Sequence, residues 1–152
     1  MLDIMYNMGL QNLSHSFSLS IKHESLPEEV RINIEVVCNA SFTSSPNFKI
    51  KASLDKYKVE TGCLAYLDNR RNIDYSVRDE IIRACIEVMS HYLQERFYNP
   101  PKTLEEAEKL KEDKEYNEKI AKVREIMKIV RDKVVNSDDV RNLCPTLYSE
   151  KA

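Results

Sequence analysis

The stretch Phe48-Lys49-Ile50-Lys51-Ala52-Ser53-Leu54-Asp55-Lys56-Tyr57-Lys58-Val59-Glu60-Thr61-Gly62-Cys63 decides the fold. Up to Leu54 its apolar residues fall on even positions: Phe48, Ile50, Ala52 and Leu54. From Tyr57 onward they fall on odd ones: Tyr57, Val59 and Cys63, then Ala65 and Leu67. A strand sends alternate residues to opposite faces, so a change of phase within one strand would turn half of its apolar set into water. A two-residue turn at Asp55-Lys56 removes the conflict. It pairs Leu54 with Tyr57, Ala52 with Val59 and Phe48 with Cys63 on one face. On the other it sets Lys51 opposite Glu60, a favourable cross-strand charge pair. Neither turn residue is Gly, which a type I′ turn favours, so a bulge in one bent strand is the alternative. The hairpin is preferred.

Working outward, residues 13–23 alternate in the same way. Leu13, His15, Phe17, Leu19, Ile21 and His23 share one face, and Ser14, Ser16, Ser18 and Ser20 share the other. After a break at Ser25-Leu26-Pro27-Glu28-Glu29, the next strand turns Val30, Ile32, Ile34, Val36, Cys38, Ala40 and Phe42 inward. Thr43 to Asn47, with Pro46, reads as a turn. The expectation is a four-stranded antiparallel meander over about 13–23, 30–42, 47–54 and 57–67 in an α+β fold.

Leu67 to Asp74 reads as a polar loop, with Ser76 capping a helix over about 77–98. Its apolar residues, from Val77 and Ile81 to Leu93 and Phe97, span about 200° of the helical wheel, more than one covered side requires. Asn99-Pro100-Pro101 stops it. Thr103, followed by Glu106, caps a further helical region over about 104–135. Tyr116, Ile120, Val123, Met127, Val130 and Val134 form an apolar seam along its second half. One straight helix over 104–135 would reach about 48 Å, against about 38 Å across a compact domain of this size. The helix must therefore break in the charged stretch Lys111 to Glu115 or project from the body. Residues 1–12 read as an apolar arm, 13–135 as one domain, and 136–152 as a turn and loose tail.

With 152 residues, 42% hydrophobic and 32% charged, the chain can build one core and a solvated surface. A net charge of −2 argues against neutralising a phosphate backbone as the main task, so nucleic acid is not expected as a partner. No apolar run approaches a bilayer span, no secretion signal stands at the N-terminus, and the four cysteines lack a CxxC pair. Buried thiols in the cytoplasm are the expectation, with no membrane partner. Two glycines, Gly9 and Gly62, are too few for a phosphate-cradling loop. No cofactor or metal is expected. His15 and His23 lie about 26 Å apart at strand rise. Glu87, His91 and Glu95 have a ligand-like spacing but fall on or beside the polar arc. No residue set points to catalysis.

Two surface groups are candidate binding residues: Lys49, Lys51 and Lys58 on the outer sheet face, beside Arg31 and Asn33, and Arg70 with Arg71 in the loop before the first helix. The helical apolar surface exceeds what one sheet face can cover. The leading expectation is therefore a non-catalytic protein-binding or assembly module acting as a homo-oligomer, with the Tyr116–Val134 seam as its interface. The alternative is a small-ligand or nucleotide-binding protein with its site at the sheet–helix junction or a subunit interface.

Overall fold

The computed structural model describes residues 12–41, 44–64, 70–96 and 101–148. The expected apolar arm, apart from Asn12, lies outside them. Four strands, β1 (Asn12–Ile21), β2 (Val30–Ser41), β3 (Ser44–Leu54) and β4 (Tyr57–Leu64), form one antiparallel sheet in sequence order. Helices α1 (Arg70–Arg96), α2 (Leu104–Lys111), α3 (Lys114–Val135) and α4 (Asp138–Leu143) follow, then a 3₁₀ turn, Pro145–Leu147. The expected α+β meander is what the chain forms.

The hairpin at Asp55-Lys56 is present in the anticipated register, with Leu54 opposite Tyr57, Ala52 opposite Val59, Phe48 opposite Cys63 and Lys51 opposite Glu60. Asp55 takes the left-handed conformation at φ 58°. A short polar side chain tolerates that region best after glycine, which is how the turn closes without one. Near its other end β3 passes Gly62, where an added Cβ would stand 3.0 Å from the Phe48 carbonyl oxygen. The β2–β3 connection is shorter than expected: β3 begins at Ser44 rather than 47. Pro46, with no N–H to donate, sits where the register shifts past Asn39.

The inner face of the sheet carries the core. Ile21, Ile32, Ile34, Val36, Phe48, Ile50 and Ala52 are all buried there. Helix α1 lies over β3 and β4, and α3 packs on both β1 and α1, so the two helices share the face. The wide apolar arc of α1 is explained by this double contact: Val77, Ile81, Ala84, Cys85, Val88, Met89 and Leu93 are buried between sheet and helix.

Three expectations are corrected here. Helix α1 begins at Arg70, so Ser76 lies inside it and does not cap it. The burial of Ile73 and Asp74 in the first turns draws the helix upstream of its local capping signal. The Tyr116–Val134 seam is used within the chain: Val123, Val130 and Val134 are buried with Ile126, while Tyr116, Ile120 and Met127 are half-buried. That seam is no free interface, because the sheet is wider than one helix and α3 covers the rest. Finally, the described part of the expected tail packs into the core. Val140, Leu143 and Cys144 are buried, and the Tyr148 hydroxyl donates to the Val135 carbonyl at 2.7 Å.

The helical region over 104–135 breaks rather than running as one straight helix. Glu112 and Asp113 separate α2 from α3, and the Asp113 carboxylate accepts from the Tyr116 N–H at 3.0 Å. The Thr103 cap is as anticipated: its hydroxyl accepts from the Glu106 N–H at 3.1 Å, while Glu106 accepts from the Lys102 N–H at 2.9 Å. Helix α2 buries nothing, and Leu104 is 86% exposed. No described helix is long and apolar enough to cross a membrane.

Candidate binding surface on the sheet

The outer face of the sheet is left open by both helices and carries a groove of about 820 Å³. Register explains its lining. Cross-strand pairing aligns Ser18, Asn33, Ser53 and Lys58 in one row across all four strands, and Ser16, Glu35, Lys51 and Glu60 in the next. All eight residues line the groove. The rows form because each strand alternates faithfully and each pairing keeps phase, so polar positions meet polar positions.

The charges alternate. Lys51 reaches Glu35 at 3.9 Å, within its own row, and Lys49 reaches Glu60 at 3.4 Å, diagonally from the adjacent one. Lys51 and Glu60 are opposite in register, but each takes its ion pair elsewhere. Side chains in these pairs are 41–54% exposed, so the pairs add little to the stability of the fold. Lys58 and Arg31 make no ion pair among the described residues. Of the anticipated surface residues, Lys51 and Lys58 line the groove together with Asn33, and Lys49 flanks it through Glu60. Arg70 and Arg71 stand in the first turn of α1, not in a loop, and their side chains lie outside the described residues. Glu60 was placed opposite Lys51 by the sequence, but Ser16, Ser18, Ser53 and Glu35 carry no signal there that sets them apart. Extending the hairpin register to β1 would have found them.

Neither set of histidine and glutamate candidates converges. His15 Nε2 lies 2.9 Å from Asp139, tying β1 to α4. His23 Nδ1 accepts from the Ser25 N–H at 2.9 Å, which leaves the ring proton on Nε2 to donate to Glu125 at 2.9 Å. The His91 ring stacks on Tyr57, and Glu95 pairs with Lys56 at 2.7 Å, fastening the hairpin tip to the end of α1. Among the described residues no three histidine, cysteine or acidic side chains could hold a metal together.

No family model, curated protein or solved structure matches the chain. The site must be read from its own geometry.

On the other side of the sheet, Tyr57 Oη and Thr61 Oγ1 on β4 and Glu80 Oε2 on α1 are buried polar atoms with no hydrogen-bond partner among the described residues. They mark the sheet–helix junction as the second polar locus. The cysteines are a different matter. Cys38, Cys85 and Cys144 are buried, and burial pushes the Cys85 thiol up to about 12. A group so desolvated is protonated at neutral pH and shielded from reagents. With DTNB on the native protein at pH 8, these three are expected to stay unlabelled and to react only on unfolding. Rapid native labelling of the Cys85 peptide would contradict the packing described.

Proposed function

We propose that this chain is a non-catalytic protein-binding module that works as a homo-oligomer and meets its protein partner on the outer face of the sheet. The observation that carries the binding half of this reading is the groove crossing all four strands, lined by two in-register rows of hydroxyl, amide and charged side chains. Such a surface suits an extended polypeptide. Serine and asparagine groups can satisfy backbone N–H and C=O, and alternating lysine and glutamate select the side chains that lie across them. Catalytic groups work best desolvated, whereas the groove's lysines and glutamates stand half in water.

The test begins with peptides selected from a random display library against the purified protein, then made synthetically. Saturable binding should shift the amide resonances of Ser16, Ser18, Asn33, Lys51, Ser53 and Lys58, and Lys51→Glu together with Lys58→Glu should weaken it at least tenfold. No saturable peptide, or shifts confined to α1 and α3, would overturn the assignment. A small-ligand or nucleotide site at the sheet–helix junction is the second reading, favoured by the unpartnered polar atoms of Thr61 and Glu80. A nucleotide that raises Tm in a thermal-shift screen, and loses that effect in Glu80→Gln, would put the second reading first.

A further inference from the structure

The two edges of the sheet are built differently. The β4 edge carries Lys58, Glu60 and Gly62, residues that discourage another strand from pairing with it. The β1 edge, Asn-Leu-Ser-His-Ser-Phe-Ser-Leu-Ser-Ile, runs ten residues with no Lys, Arg, Asp, Glu, Pro or Gly. Among the described residues no backbone group outside the sheet bonds to it. A strand of that length leaves a row of amides and carbonyls facing outward, ready to extend a ladder.

We propose that β1 pairs antiparallel with β1 of a second copy of this chain about a two-fold axis, making one eight-stranded sheet. This rests on the homo-oligomer reading above and names the surface through which the copies meet. The strand is complementary to itself. Taken about Phe17, antiparallel pairing sets Ser16 against Ser18 and Ser14 against Ser20 on the outer face, and His15 against Leu19 on the inner one. Each of these positions thus meets one of its own kind, polar to polar and core-facing to core-facing. No residue of β1 itself carries a fixed charge, so the strand does not repel an identical one; the carboxylates nearest it, Asp139 on His15 and Glu29 on Ser20, each already hold a partner in the same chain. The inner side of the edge is unfinished in the single chain. Phe17 is half-buried, and the His15 side chain beside it, with ring centroids 5.7 Å apart, is 30% exposed. A second β1 would cover both.

Light scattering after gel filtration, at tens of micromolar, should give a dimer or an even multiple of it for the wild-type chain. Ser16→Lys with Ser18→Lys should give a monomer, because the new charges would meet their own kind across the axis while lying at exposed positions in the single chain. Asn33→Lys, one strand further in, adds charge to the same face and should leave the dimer intact. In the wild type, amide exchange within residues 12–21 should slow as concentration rises, a readout that needs no variant. An oligomer unmoved by the double substitution, with concentration-independent exchange in β1, would overturn the edge pairing and leave the homo-oligomer reading standing. A strict monomer would overturn both, with the edge then taken by residues 1–11 or by another protein.

Discussion

Ending the chain at Asn136 is expected to abolish cooperative unfolding, leaving a species with helical far-ultraviolet dichroism and no sharp thermal transition. The truncation removes Val140, Leu143 and Cys144, all buried, and strips their cover from the ends of α1 and α3. A fully buried aliphatic side chain contributes about 1.5–3 kcal/mol. Val140 and Leu143 alone therefore represent a large part of the roughly 5–15 kcal/mol that holds a domain of this kind together. The truncation also removes Tyr148, whose hydroxyl bonds the last turn of α3 and whose ring lies beneath the Arg141 guanidinium at 4.7 Å. Arg78 of α1 stands 5.7 Å from the same ring. A truncated protein with the wild-type Tm would show that this segment is an appendage after all.

A second large effect is expected on α3. Ile126 is fully buried where α3 lies between β1 and α1, and Ile126→Ala should cost about 2–5 kcal/mol in urea unfolding, with the m-value unchanged. Met127, the next residue, is half-buried, and Met127→Ala should cost clearly less, about 1 kcal/mol. The contrast separates two uses of the same helix. Were α3 packed chiefly on another chain, both substitutions would act through the concentration dependence of unfolding; packed as described, Ile126→Ala acts at every concentration.

The candidate surface was half visible before the fold was known. Lys51 and Lys58 could be placed on the outer face from phase alone, and Lys51 opposite Glu60 followed from the turn. The partners of those side chains could not. Lys51 pairs with Glu35, directly opposite on the neighbouring strand β2, and Glu60 with Lys49 on the diagonal, choices made by sheet twist and side-chain reach. Arg70 and Arg71 read as loop residues because the run from Leu67 to Asp74 is polar and a plausible cap stands at Ser76. Packing of Ile73 outweighs both signals.

What the residues alone determined is local. Alternation set four strands and their facing, the phase change at Asp55-Lys56 set a hairpin and its register, and Thr103 set where a helix starts. Each of these depends on neighbours within a few positions, where backbone geometry and hydrogen bonding are decided. Only the tertiary structure decided that the α3 seam is spent on this chain's own sheet, that residues 137–148 belong to the core, and that two polar rows lie open across the strands. Those outcomes depend on how much apolar area each element can cover once all of them are together. Area of that kind is a property of the assembled layers, and no window of sequence contains it.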